Sequence, residues 1–129
     1  MAAIALMSRI FIDKNRNDPR LKTAADLLVR DLPAWDGNKT DFYYWYYASI
    51  ALFQMDGPSG PFWKAWNESM KNALVTNQRT GKDGCQNGSW DPIDRWGFEG
   101  GRVYATAINA LTLEVYYRYK NVFGGAEGK

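Results

Sequence analysis

The chain has 129 residues, 23% of them charged and 16% aromatic, with a formal net charge of +2. That length suits one domain with a continuous apolar core, and so weak a charge balance gives no basis for expecting nucleic acid or an anionic membrane as partner. Histidine is absent and Cys85 is the lone cysteine, which excludes an intrachain disulfide, a thiolate metal cluster and the His-based nucleophile and metal arrangements, so no metal and no cofactor is expected.

Five helical segments follow from apolar period and stop signals. The first covers roughly Ala2 to Ile12. This N-terminal stretch is apolar but has no basic leader and no small-residue cleavage site, and no apolar run in the chain reaches the ~20 residues a bilayer needs. A soluble chain with no signal peptide in this sequence is expected, its compartment left open. The second helix opens at Asp18-Pro19, an N-cap followed by a proline at the first helical position, and runs to about Leu32 before Pro33. Its apolar residues Leu21, Ala24, Ala25, Leu28 and Leu32 fall on one stripe. The third starts at Asp41 and runs through FYYWYYASIALFQM to the Gly57-Pro58 break, apolar nearly all round. The fourth, from about Phe62 to Asn77, sets Phe62, Trp63, Trp66, Met70, Ala73 and Leu74 against Lys64, Asn67, Glu68, Lys71 and Asn72 on the opposite face. A long loop, Gln78 to Gly101, leads to the fifth, from Arg102 to about Tyr119 and again apolar on most sides. These elements make one helical domain over residues 1–123, with a polar, Gly-rich flexible tail over 124–129.

Helices apolar on most sides alternate with helices apolar on one stripe, and a helix wetted on one face belongs outside. The first, third and fifth are therefore expected to form a parallel inner layer, with the second and fourth outside. A repeat supports this order. Ala2-Ala3-Ile4-Ala5-Leu6, Ala48-Ser49-Ile50-Ala51-Leu52 and Ala107-Ile108-Asn109-Ala110-Leu111 share Ala-x-x-Ala-Leu on the three inner helices, and small residues at that spacing let helices approach closely. Seven residues precede the shared core in the third helix, while Met1 alone precedes it in the first. The chain thus reads as a piece of a larger repeat array, beginning inside an inner helix. Its bare end, with Ile4, Leu6, Met7, Ile10 and Phe11, is expected to pair copies into a homo-oligomer.

Within the long loop, Gln86-Asn87-Gly88-Ser89-Trp90 matches the Gln-x-Gly-x-Trp core of the QW repeat, and Gly100-Gly101-Arg102-Val103-Tyr104-Ala105-Thr106-Ala107 resembles the glycine turn and inner-helix start of the squalene cyclase, prenyltransferase β-subunit and thioester-domain families. The resemblance implies an all-α fold of α/α-toroid-type helical hairpin repeats, of which about five helices would form a partial toroid. It also implies a scaffold role for Gln86, Gly88, Trp90, Gly100 and Gly101: the glutamine bonds backbone groups at helix ends while the tryptophan ring stacks over it.

The chemistry-bearing signals are weaker. Asp91-Pro92-Ile93-Asp94 lacks the paired carboxylates of the cyclases' Asp-x-Asp-Asp acid and reads as a solvated turn. Asp41 reads as an N-cap rather than a zinc ligand, and Gly84-Cys85-Gln86 lacks the spacing of a thioester ring. The run from Asp13 to Asp18 resembles half a calcium loop but has Asp18 where glycine belongs and Ala24 where a bidentate Glu belongs. Asn38-Lys39-Thr40, Asn67-Glu68-Ser69 and Asn87-Gly88-Ser89 fit the glycosylation triplet, which has meaning only in a secretory route. The aromatic run Tyr43 to Tyr47 is mainly core by helical geometry, leaving Tyr44, Trp45, Tyr47 and, from the fifth helix, Tyr104 as candidates to line an apolar-ligand cavity. The expected function is a non-catalytic toroid segment that binds an apolar small molecule or a protein partner. Part of a terpene-cyclase-like enzyme with catalytic residues outside this chain, and a general helical-repeat scaffold, are the alternatives.

Overall fold

The computed structural model describes residues 1–15, 17–37 and 39–120. The tail expected over 124–129 lies outside the described residues, as do Arg16 of the calcium-like run and Asn38 of the first glycosylation triplet. Among the described residues there are five α-helices and no strand: α1 (Ala2–Asp13), α2 (Pro19–Leu28), α3 (Phe42–Asp56), α4 (Pro61–Val75) and α5 (Gly97–Arg118), with a 3₁₀ segment at Gly81–Gln86. No helix is long and apolar enough to cross a membrane.

Local signals set most of the helix ends. Asp18 accepts from the Arg20 amide at 2.9 Å ahead of Pro19, and Asp41 accepts from the Tyr44 amide at 2.9 Å. The Arg20 side chain, bonded to Asp18 at 2.7 Å, and Arg9 of α1, 3.7 Å away, hold that carboxyl down at about 2 and join the ends of α1 and α2. α2 is a turn shorter than the sequence suggests. It stops at Leu28 because the residue before Pro33 is steered out of helical conformation, and the chain turns over Val29–Asp31. α5 begins earlier than Arg102, with one turn from Gly97 that kinks at Gly101, whose φ of 61° suits glycine.

α3 is the centre of the fold. Phe42, Trp45 and all seven residues from Ala48 to Gln54 are buried, which covers every side of the helix. It packs against α1 and α5 on its flanks and against α2 and α4 on its third side. α1 and α3 both begin at a hollow lined by Met1, Ala3 and Ile4 together with Tyr43, Tyr44 and Tyr47. At the far end Gln54 Nε2 donates to the Lys120 carbonyl just beyond α5, at 2.9 Å. α1, α3 and α5 therefore run parallel. α4 returns antiparallel from a tight turn in which Asp56 accepts from the Trp63 amide at 3.0 Å, and Lys22 of α2 lies 5.9 Å from the Phe62 ring of α4. A polar pair is buried between α3 and α4, Trp66 Nε1 donating to Ser49 Oγ at 2.9 Å. In α1 the Leu6 and Ile10 positions expected at a bare end are buried in this core, and the exposed apolar residues are Phe11 and Ile12.

The long loop clasps the end of α4 to the start of α5. Trp90, 3% exposed, donates from Nε1 to the Leu74 carbonyl at 2.7 Å, satisfying an acceptor in the last turn of α4 that the helix leaves open. Its own amide donates to Thr106 Oγ1 on α5 at 3.3 Å. Asp91 receives the guanidinium groups of both Arg79 and Arg102, and Arg102 also donates to Ser89 Oγ at 3.0 Å. Gln78 Nε2 donates to the Gly88 carbonyl at 2.9 Å, and the Gln86 carbonyl accepts from both the Ser89 amide, at 3.0 Å, and the Ser89 hydroxyl. Trp90→Ala removes both the ring and the bond to Leu74 and is expected to cost about 3–5 kcal/mol. Trp90→Phe, which keeps most of the area but strands the carbonyl, is expected to cost about 1–3 kcal/mol. Urea denaturation of the three proteins checks this, and an unchanged midpoint for Trp90→Ala contradicts it.

Candidate functional site

Three adjoining hollows open at the end of the molecule where α1, α3 and α5 begin. The first, about 530 Å³, is polar and takes in Thr40, Asp41, Tyr44, Ile93, Asp94 and Arg95. The second, about 230 Å³, shares Asp41, Tyr44 and Arg95 with the first and adds Tyr43, Tyr47 and Trp96. The third, about 450 Å³, is walled by Tyr43, Trp96 and Tyr104 with Glu99 and Gly100 at its edge. Together they make one cleft, carboxylates at one end and aromatic rings at the other.

The turn Pro92–Gly97 builds the middle of this cleft. The Gly97 amide donates to the Asp94 carbonyl at 2.9 Å, and Gly97 lies so close to the Pro92 carbonyl that a Cβ there would collide with main chain. This tight turn draws Asp94 inward, where it is only 5% exposed, and turns Arg95 and Trp96 outward, Trp96 being 45% exposed. The Tyr104 hydroxyl donates to Asp94 Oδ2 at 3.1 Å, whereas Oδ1 is buried and closes no hydrogen bond among the described residues. Burial pushes the Asp94 carboxyl above its usual value and the Asp41 charge adds to the effect; the Tyr104 hydroxyl and the Phe42 and Gly97 amides offset it only in part. Tyr104 is raised as well, by burial and then by Asp94. Tyr44 is pushed up to about 12 by burial and by Asp31 and Asp41. Arg95 bridges the two ends: its Nη1 lies 3.7 Å from Asp41 Oδ2 and its guanidinium carbon 5.0 Å from the centre of the Trp96 ring.

Tyr44, Tyr47 and Tyr104 line these hollows, and Gly100 borders the third. Trp45 does not. It is 2% exposed and packs against Phe42 at 5.5 Å, because successive residues on a helix diverge by about 100° and position 45 points into the core when 43 and 47 face the cleft. Gln86, Gly88 and Trp90 line none of the three hollows and belong to the α4–α5 clasp. Reading Asp91 to Asp94 as a solvated turn fails for Asp94. The available signal was the bracket of Pro92 and Gly97, which marks a turn tight enough to bury its second acid. Tyr43, part of the aromatic run but not chosen from it, and Trp96, not singled out among the rings of the long loop, also line the cleft.

No family model, no curated protein and no solved structure matches this chain.

The raised Asp94 carboxyl fixes the sign of one pH effect. A carboxyl with a folded pKa above its unfolded value holds its proton more tightly when folded, so its favourable contribution is present at low pH and lost as pH rises through the folded value. Asp94 therefore stabilises the fold relatively as pH falls from neutral toward 3.8, the usual carboxylate value. Asp94→Asn should flatten this part of the profile. Thermal melts of both proteins across that range check it; superimposable pH profiles refute it.

Proposed function

We propose that the chain is a ligand-binding segment of a squalene-cyclase/prenyltransferase-like α/α toroid, and that an apolar small molecule lies in the cleft at the start of α1, α3 and α5. The observation that carries this reading is the uncovered aromatic wall. Tyr43 and Trp96 remain 40% and 45% exposed around the 450 Å³ hollow, in a chain that buries Trp45, Trp63, Trp66 and Trp90 almost completely. Covering a large apolar side chain is worth about 1.5–3 kcal/mol, and rings left open around a concavity offer that gain to a ligand. The parallel α1, α3 and α5, with α2 and α4 behind them, and the clasp that Trp90 makes with the end of α4 are what support the toroid part of this reading.

A second reading, a contribution to a terpene-cyclase-like enzyme, draws on one observation: Asp94 is a buried carboxyl at the polar hollow, bonded to the Tyr104 that walls the aromatic one.

Titration with farnesol, a neutral isoprenoid alcohol, tests the binding reading. Binding should shift tryptophan emission toward the blue as Trp96 is covered, and Trp96→Ala should remove the shift and weaken binding about tenfold. Binding measured by calorimetry that is unaffected by both Trp96→Ala and Tyr43→Ala would place the ligand elsewhere, and no binding at all would defeat the proposal.

A further inference from the structure

The charge around the cleft runs against that of the chain. The protein carries a formal +2, yet the residues lining the three hollows bring four carboxylates, Asp31, Asp41, Asp94 and Glu99, against three cations, Lys39, Arg95 and the Met1 ammonium. Asp94, 5% exposed, borders the polar hollow, and its Oδ1 is buried without a hydrogen-bond partner among the described residues. Beside it, Tyr43, Trp96 and Tyr104 present ring surface around one open volume. The negative face of an aromatic ring attracts a cation, most strongly when water is excluded. The chain itself already illustrates the fit: the Arg95 guanidinium lies over Trp96 and beside Asp41, joining a ring and a carboxylate in the way a bound cation would.

Resting on the reading of the cleft as a ligand site, we infer that its ligand is an organic cation, an ammonium carrying apolar substituents, whose charge lies among Tyr43, Trp96 and Tyr104 and is answered by the neighbouring carboxylates, and that Arg95 is a resident occupant displaced on binding. Arg95 can leave at small cost. Its side chain is 66% exposed and its ion pair with Asp41 is long, and exposed pairs of that kind contribute little. A neutral ligand of the same shape would fill the aromatic end but leave the charge of the carboxylates unanswered.

The test uses a matched pair, benzyltrimethylammonium and its neutral carbon isostere neopentylbenzene, titrated into the full chain and followed by calorimetry and tryptophan emission. The cation is expected to bind at least about tenfold more tightly. Trp96→Ala and Asp94→Asn should each erase most of that preference, and Arg95→Ala, a change at an exposed side chain that spares the core, should tighten cation binding several-fold by removing the competitor. Equal affinity for the two ligands overturns the inference while leaving the apolar-ligand reading intact. Failure of both ligands, together with failure of farnesol, sinks that reading as well. Weaker cation binding by Arg95→Ala would show that the guanidinium is part of the site rather than its occupant, and overturns the displacement.

Discussion

A helix with no polar face cannot lie at a surface, and α3 is such a helix. From Ala48 to Gln54 every residue is buried, so the chain has to supply cover on all sides. α1 and α5 take the flanks, α2 and α4 the remaining face, and the other helices need only one apolar stripe each. The amphipathic α4, with Trp63, Trp66, Met70, Ala73 and Leu74 buried and its lysines outward, meets that requirement. Two of the polar groups this arrangement buries are paired within it, Ser49 with the Trp66 indole and Gln54 with the Lys120 carbonyl, while both amide atoms of buried Asn109 on α5 close no hydrogen bond among the described residues. At the first turn of α3 the cover is incomplete, and that gap is the aromatic end of the cleft.

Two aspartates three residues apart show how position decides chemistry. Asp91 lies at the surface of the α4–α5 clasp, where Arg79 and then Arg102 hold its carboxyl below the ordinary range. Asp94 is carried inward by the turn between Pro92 and Gly97, where burial raises it and no cation is seated on it. One is an ion-paired strut between helix ends, the other a carboxyl kept in a low-dielectric setting. Nothing in the composition of Asp-Pro-Ile-Asp separates them.

The layering was legible in the sequence because it depends on period. The all-round apolarity of α3, the single stripes of α2 and α4, the caps at Asp18 and Asp41 and the break at Gly57 are all local patterns, and each marks the element it should, whereas Gly101 proves to be a kink inside α5 rather than its boundary. The end of α2 was set one turn too late because the stripe continued to Leu32, while the influence of Pro33 reaches back only through chain geometry. The cleft was half legible. Tyr44, Tyr47 and Tyr104 could be singled out as rings on inner helices, but choosing Tyr43 over Trp45 needs the rotation of α3 about its axis, which the neighbours set. Trp96 and Asp94 owe their placement to a turn closed by contact between Gly97 and the Pro92 carbonyl, a tertiary detail with no periodic signature.

Helix ends explain some of the acids in the cleft and leave one unexplained. Where α1, α3 and α5 begin together, unpaired amides and the positive ends of helix dipoles favour negative charge. Asp41 answers this directly by accepting from the Tyr44 amide, and Glu99 lies in the first turn of α5. Both would be retained for helix stability alone. Asp94 differs: the Tyr104 hydroxyl occupies one oxygen, the Phe42 and Gly97 amides temper its charge without reversing the upward shift, and Oδ1 stays unpaired. A buried acceptor in that condition weakens the fold by the desolvation it has suffered without recompense. An asparagine or a leucine at this position would avoid placing a charge there, so helix-end electrostatics, which account for Asp41 and Glu99, do not account for this carboxyl.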